Sequence, residues 1–169
     1  MNTRKLIKMV TAALMAALTC VATFAIHIPS PAGYIHPGDS FVLLSGMILG
    51  PIYGPLAAGI GSMLADLLAG FPQYALATFV IKALTAVVAA LIFRKGKIGT
   101  VILAGICGSI VVTLGYFIYD NFLVGFAVAV EQAPLNGVQN LLGIVIATLL
   151  LPLLSRIPQI QEIMDHKQK

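Results

Sequence analysis

Long apolar stretches separated by short connectors are the main pattern along the chain. A helix needs roughly 20 mainly apolar residues to cross a bilayer, and residues 9–26 form the first such stretch. The next stretch, 41–70, is too long for one helix and contains GPIYGP at 50–55, where glycine and proline break a helix. The pattern therefore predicts six membrane-spanning helices. They cover about residues 9–26, 39–52, 55–70, 74–93, 99–123 and 134–154.

Two segments of this pattern allow more than one interpretation. The apolar sequence FLVGFAVAV at 122–130 either extends the fifth helix or lies at the outer surface of the membrane. Residues 1–25 have a basic head and an apolar body, as a signal peptide does. Their apolar part is long enough to span a membrane, and we favour a retained first helix.

Composition supports an integral membrane protein. Of the 169 residues, 59% are hydrophobic and only 9% are charged, whereas about a quarter of the residues of a soluble domain are charged. The predicted architecture is a single all-α membrane domain over residues 1–169, built as a six-helix bundle.

The lysines and arginines other than Lys82 fall into three clusters that flank apolar stretches, and the formal net charge is +4. Six helices put all three clusters on one side, and the positive-inside rule assigns that side, with both termini, to the cytoplasm. The clusters form no single basic face, so the sequence argues against nucleic-acid binding. Their members are Arg4, Lys5 and Lys8, then Arg94, Lys95 and Lys97, then Arg156, Lys167 and Lys169.

Ionisable groups inside apolar helices are costly in lipid and are functional candidates for that reason. Asp66 and Lys82 lie in the outer halves of neighbouring predicted helices, where they could pair with each other. Such a pair would either orient two helices or contact a ligand, and the sequence leaves both readings open.

Two further helices carry polar faces in the same half of the membrane. We expect them to line a water-accessible cavity together with Asp66 and Lys82. The faces follow from helical spacing: Thr113, Tyr116 and Asp120 on the fifth helix, and Asn136, Gln139 and Asn140 on the sixth.

The connector PAGYIHPGDSF at 31–41 lies at the mouth of this predicted cavity. Tyr34 and Tyr74 could stack on a ring, while His36 and Asp39 could form hydrogen bonds with a ligand. Asp39 has an alternative role that we favour, which is to cap the second helix with its carboxylate.

Sequence signals for catalysis or cofactor binding are absent. The chain has no P-loop, no H-E-x-x-H and no G-x-S-x-G motif. His27 and His36 lack a third metal ligand, and Cys20 and Cys107 lie inside apolar stretches. We therefore expect no catalytic residue, no metal site and no cofactor bound by this chain.

The sequence resembles the substrate-binding S components of energy-coupling factor (ECF) transporters. The resemblance is carried by GYIHPGDSFVLLSGMILGPIYGPLAAGIGSMLADLLAGFPQYALATFVIKAL at 33–84, GYFIYDNF at 115–122 and PLNGVQNLLGIVIATLLLP at 134–152. It is closest to the branch with riboflavin-, pyridoxine-, hydroxymethylpyrimidine- and pantothenate-type members. Asn2 replaces the histidine that nickel- and cobalt-type members carry after the start methionine, which argues against metal uptake.

The resemblance implies a plasma-membrane protein that binds a water-soluble vitamin or precursor from outside. It implies a transmembrane coupling subunit and two cytoplasmic ATPases as partners, which use ATP to drive a toppling motion of the loaded S component. Small residues on the first helix dock onto the coupling subunit in this family. Ala12, Ala13, Ala16 and Ala17 match that pattern.

The residues predicted to bind the ligand combine this resemblance with the polar faces described above. They are Tyr34, His36, Tyr74, Lys82, Tyr116, Asp120, Asn136, Gln139 and Asn140. The alternative function is a stand-alone proton-coupled permease, in which Asp66 or Asp120 would relay protons.

Overall fold

A computed structural model describes residues 3–167 of the chain. Asn2 and Lys169, which entered the sequence analysis, lie outside this part. Within residues 3–167 the chain forms six α-helices and one small β-hairpin. They are α1 Thr3–Ala25, β1 Ile28–Ser30, β2 Gly33–Ile35, α2 Asp39–Leu68, α3 Pro72–Ile92, α4 Ile98–Leu123, α5 Phe126–Leu154 and α6 Pro158–Lys167.

Five of the described helices, α1 to α5, are long and apolar enough to cross a membrane. The predicted class, a helical membrane protein, is therefore confirmed, while the count of six spans is not. The difference lies in α2, which covers both the second and the third predicted helices. The antiparallel β1–β2 hairpin, in which Ile28 pairs with Ile35, was not predicted.

The chain reverses direction inside α2, at Gly50. This residue has φ 81° and ψ −171°, a conformation that only glycine adopts readily. A Cβ atom on Gly54 would lie 2.7 Å from the carbonyl oxygen of Ser45, although residues nine apart in one straight helix are about 13 Å apart. Segments 39–49 and 51–68 therefore pack side by side.

This reversal agrees with the predicted break and corrects its boundaries. The break is at Gly50 alone, and Pro51 starts the second segment, as proline commonly does. Segment 39–49 is only about 16 Å long, about half of a hydrocarbon core of roughly 30 Å. Because α2 doubles back, it begins and ends at the same end of the bundle.

Helix α6 contacts both the start of α1 and the α3–α4 connector. These contacts lie at the end of the bundle opposite the two ends of α2. Arg4 of α1 lies 3.3 Å from Glu162, and Lys95 of the connector pairs with Asp165. Ile163 and Met164 are buried in the main apolar core. The basic residues near the N-terminus and in the α3–α4 connector therefore meet at one end, as their spacing in sequence predicted.

The apolar segment that fitted no predicted element is divided by Gly125, which has φ 96°. Residues before it finish α4, and residues after it begin α5 at Phe126. Helix α5 thus starts eight residues before the predicted start at residue 134. Pro134 lies inside the helix rather than at its beginning.

Helix α2 is the most buried of the five long helices and forms the centre of the bundle. Its glycines allow close approach by neighbouring helices. A Cβ atom on Gly61 would lie 2.3 Å from the carbonyl oxygen of Ala16 in α1, and one on Gly46 would lie 2.1 Å from that of Ala86 in α3. Small residues in membrane helices permit such backbone contacts. They position α1 and α3, and with them the walls of the pocket described next.

Candidate functional site

A pocket opens beneath the β-hairpin, at the end of the bundle opposite α6. The space between its lining residues amounts to about 410 Å³, a volume that includes space open to solvent. Polar and aromatic side chains from the hairpin and from α2, α3, α4 and α5 converge on it. Its lining residues are Ala32, Gly33, Tyr34, His36, Asp66, Phe71, Tyr74, Thr78, Tyr116, Asp120, Gln132, Asn136 and Gln139.

Two glutamines of α5 hold the hairpin over the pocket. The backbone N–H of Ala32 donates to Gln132 Oε1 at 3.3 Å, and that of His36 donates to Gln139 Oε1 at 3.1 Å. The glutamines are seven residues apart, which is about two helical turns, so they share one face of α5. The attachment of the hairpin to α5 thus uses main-chain N–H groups and no side chain of the hairpin.

Each of the two carboxylates in the pocket accepts a hydrogen bond from a tyrosine. Tyr34 Oη donates to Asp66 Oδ1 at 2.7 Å, and Tyr74 Oη donates to Asp120 Oδ1 at 2.9 Å. The first bond joins the hairpin to α2, and the second joins α3 to α4. These bonds fix the orientation of both carboxylates.

Two buried polar atoms in the pocket wall have no hydrogen-bond partner among the described residues. They are the acceptor Asp66 Oδ2 and the donor Asn136 Nδ2. Their residues are only 6% and 5% exposed. The Thr78 hydroxyl lies near Asp66 and shares a hydrogen bond with the Tyr116 hydroxyl at 2.9 Å, but it is not within hydrogen-bonding geometry of Asp66 Oδ2. Buried polar groups are nearly always satisfied, so this pair of atoms points to a ligand or bound water.

Aromatic rings line the entrance side of the pocket. The ring centres of Tyr34 and Phe71 are 5.3 Å apart, and those of Phe71 and Tyr74 are 6.4 Å apart. His36 adds a fourth ring beside Tyr34, and the centres of these two rings are 5.4 Å apart. Such walls offer stacking surfaces for a flat ligand.

Lys82 lies behind the pocket wall, and its partner differs from the expected one. The Lys82 side chain is fully buried. Its Nζ lies 2.5 Å from Asp39 Oδ1 and 5.1 Å from the centre of the Tyr116 ring. Asp39 Oδ2 accepts a second hydrogen bond from Gln139 Nε2 at 2.8 Å. The predicted pair of Asp66 with Lys82 is therefore wrong.

The predicted capping role of Asp39 is also wrong. Gly38 precedes the first helical residue, and no side-chain hydrogen bond caps this end of α2. Asp39 is instead buried, with 3% of its surface exposed. The carboxylate that could have bound free backbone N–H groups is used to neutralise Lys82.

Asn140 faces away from the pocket. Its Nδ2 lies 3.3 Å from Thr113 Oγ1 and 3.5 Å from the carbonyl oxygen of Ser109, both in α4. This side chain therefore helps to hold α4 against α5. Thr113, predicted on the same polar face as Tyr116, shares this role and does not line the pocket.

Seven of the nine predicted ligand-binding residues line one pocket, while Lys82 and Asn140 do not. That the seven bind a ligand stays a prediction. They are Tyr34, His36, Tyr74, Tyr116, Asp120, Asn136 and Gln139.

The sequence analysis missed several lining residues, of which Gln132 is the most informative. It lies four residues before Asn136 and seven before Gln139, so the three share a helical face. Assigning 124–133 to no helix hid this periodicity. Phe71 and Thr78 carry no comparable signal, because an aromatic ring and a threonine are common in membrane helices and connectors.

His27 does not join His36 in a metal site. The His27 side chain is exposed and its Nδ1 lies 2.6 Å from the carbonyl oxygen of Phe24. Within residues 3–167, no group of three or more potential metal ligands comes together.

The comparison with known families bears on the role of this pocket. A family model described as ECF-type riboflavin transporter, S component, matches residues 3–156, which is nearly the whole chain. The chain belongs to this family. It is therefore a multi-pass plasma-membrane protein of a family of transporter components, and the resemblance to ECF S components noted in the sequence is confirmed.

A protein of Pyrococcus woesei is also similar to this S component. It is described as an uncharacterized protein in the gap 3'region. The two are 38% identical over 130 residues, which cover 75% of this chain and 86% of the relative.

The four alanines predicted as a docking surface fall into two pairs. Ala12 and Ala16 are half-buried and pack against the core of the S component itself. Ala13 and Ala17 are exposed on the outside of α1. Only the second pair leaves a surface of small side chains open to another protein, and its docking role stays a prediction.

We predict that Lys82→Met will destabilise the protein by about 3–5 kcal/mol, because it leaves the Asp39 carboxylate buried without a countercharge. The double variant Lys82→Met/Asp39→Leu should recover most of this loss. Thermal or denaturant unfolding in detergent measures both. The matched control is Lys95→Met, which breaks a partly exposed ion pair with Asp165 and should cost at most about 1 kcal/mol. Unchanged stability of Lys82→Met would contradict a structural role for the pair.

We predict that His36 makes stability depend on pH. Burial lowers the pKa of His36 from 6.5 to about 4, and its Nδ1 accepts a hydrogen bond from the Gly38 N–H at 3.1 Å. The unfolded chain binds a proton near pH 6.5 and the folded chain does not, so the free energy of unfolding falls as the pH drops from about 6.5 towards 4.

The variant His36→Asn keeps an acceptor for the Gly38 N–H but does not titrate. Unfolding measured at several pH values should show a shallower pH dependence for this variant, by up to about 1.4 kcal/mol per pH unit. Parallel pH profiles for the two proteins would show that His36 is not the titrating group.

Proposed function

We propose that this chain is the substrate-binding subunit of an ECF-type importer for a water-soluble B vitamin or vitamin precursor. The observation that carries the proposal is the pocket beneath the hairpin, in a member of the S-component family. In this pocket Asp66 Oδ2 and Asn136 Nδ2 have no hydrogen-bond partner within the described part of the chain. A pyridoxine- or hydroxymethylpyrimidine-like ligand is favoured. Riboflavin, which the matching family model names, and pantothenate are the other candidates.

The distribution of charge supports uptake from outside. The basic residues that pair with α6 lie at the end of the bundle opposite the pocket. If the positive-inside rule assigns that end to the cytoplasm, the pocket opens to the exterior. Both termini are then cytoplasmic, because the reversal at Gly50 returns α2 to the side where it began.

Energy for transport comes from partner proteins in this proposal. The chain has no P-loop, so ATP is used by two cytoplasmic ATPases, which act through a transmembrane coupling subunit. The exposed Ala13 and Ala17 of α1 provide the docking surface for that subunit. The loaded S component then topples in the membrane and releases its ligand inside.

A proton-coupled permease is the second candidate, and one observation favours it. Asp66 and Asp120 are 6% and 1% exposed, and buried carboxylates in membrane proteins often carry protons. Uptake by the purified chain in sealed vesicles, driven by a proton gradient and without ATPases, would support this function over the first.

We predict that Asn136→Ala will weaken ligand binding by about 1–3 kcal/mol, because a buried ligand group loses its partner. Mass spectrometry of the compound that co-purifies identifies the ligand, and titration of the stripped protein measures its affinity. Asn140→Ala is the matched control: it removes the same side chain four residues away, outside the pocket. Equal losses in both variants would place the binding determinant elsewhere.

We predict that Ala17→Phe will abolish cellular uptake and leave binding by the purified protein unchanged, because a bulky ring prevents close approach by the coupling subunit. Ala13→Phe should behave in the same way. Ile118→Phe, at a position that is 57% exposed on α4, is the control and should keep uptake. Loss of binding in Ala17→Phe would instead assign this alanine to the fold.

A further inference from the structure

The pocket contains acidic side chains and, among its described lining residues, no lysine or arginine. The acidic residues are Asp66 and Asp120. His36 also lines it but is neutral near pH 7, because burial lowers its pKa to about 4. A ligand therefore enters a site with two acidic groups and no basic one.

Lys82 does not supply the missing positive charge. It is fully buried behind the wall and does not line the pocket. Its Nζ lies 2.5 Å from Asp39 Oδ1, so its charge is paired with that carboxylate and is not directed at the pocket. The acidic groups that line the pocket are Asp66 and Asp120.

We propose that this pocket selects an uncharged or positively charged nitrogen heterocycle and rejects anionic forms of the same compounds, whether phosphorylated or carboxylated. This inference rests on the proposed function and narrows its substrate class. It argues against pantothenate, which carries a carboxylate, and against any vitamin that already carries a phosphate.

The unpartnered atoms specify the polar edge of such a heterocycle. Asp66 Oδ2 requires a hydrogen-bond donor, and Asn136 Nδ2 requires an acceptor. A ring edge with an amino or N–H group beside a ring nitrogen or hydroxyl oxygen offers both. An anionic group offers only acceptors, so it would leave Asp66 Oδ2 unsatisfied and add repulsion.

The aromatic walls fit the same class of ligand. Tyr34, Phe71 and Tyr74 form a continuous run of rings at the entrance. A flat heterocycle stacks on such rings, and a protonated one gains a further attraction to their faces. An anion gains no comparable attraction.

The test measures binding of matched pairs to the stripped, full-length protein by equilibrium dialysis at pH 7. The pairs are pyridoxine and pyridoxine 5'-phosphate, riboflavin and its 5'-phosphate, 4-amino-5-hydroxymethyl-2-methylpyrimidine and its phosphate, and, as the carboxylated case, nicotinamide and nicotinate. We expect at least one uncharged or cationic member to bind, and its anionic counterpart to bind at least roughly 100-fold more weakly, because like charges placed together in an interface are strongly unfavourable.

The variant Asp66→Asn provides the second measurement. It keeps an oxygen to accept the hydrogen bond from Tyr34 but removes one negative charge, so discrimination against the anion should fall by roughly tenfold or more. Asp120→Asn likewise keeps an acceptor for the Tyr74 hydroxyl and removes one negative charge. The same comparison is made with this variant if Asp66→Asn does not fold.

The outcomes separate this inference from the proposed function. Binding of an anionic member within tenfold of its uncharged counterpart would overturn the inference and leave vitamin binding intact. Discrimination that is unchanged in the asparagine variants would also overturn it, because the carboxylates would not be its source. If no compound of the panel binds and none co-purifies, the proposed function fails together with the inference.

Discussion

The buried ion pair between Asp39 and Lys82 is the interaction on which the rest of the site depends. It joins the start of α2 to the middle of α3, and it lies 5.1 Å from the Tyr116 ring of α4. Through Gln139 it reaches α5 and the backbone of His36 in the hairpin. A buried pair is costly unless its remaining polar groups are satisfied, and here both oxygens of the carboxylate are bonded. This charged contact therefore links α2, α3 and α5, and through Gln139 the segment that follows the hairpin, directly behind the pocket.

Hydropathy predicted the long helices because lipid requires extended apolar runs. The glycines and prolines of GPIYGP located the break in α2, where Gly50 has a backbone conformation that only glycine adopts readily. The sequence pattern missed three elements for physical reasons. The strands of the hairpin have three residues each, too few for an alternating pattern. Helix α6 is short and amphipathic, so it carries no membrane signal. The early start of α5 was hidden because one residue, Gly125, separates it from an equally apolar α4.

The polar lining of the pocket was largely predictable, whereas its pairings were not. A polar side chain in an apolar helix must face the interior, which holds for Asp120, Asn136 and Gln139. The sequence does not indicate which carboxylate pairs with Lys82. Asp39 is the partner because the reversal within α2 brings the start of this helix next to α3. Asn140 shows the limit of helical spacing: one residue beyond Gln139 turns the side chain by about 100°, enough to point it at α4.

The anchoring of the hairpin through the main-chain N–H groups of Ala32 and His36 has an evolutionary consequence. Substitutions at the hairpin tip alter the chemistry presented to the pocket and leave its attachment to α5 intact, since every residue except proline offers the same N–H group. Homologous proteins can therefore bind different compounds while the hairpin stays attached to α5 in the same way. A few substitutions at the hairpin tip are then enough to change the preferred ligand.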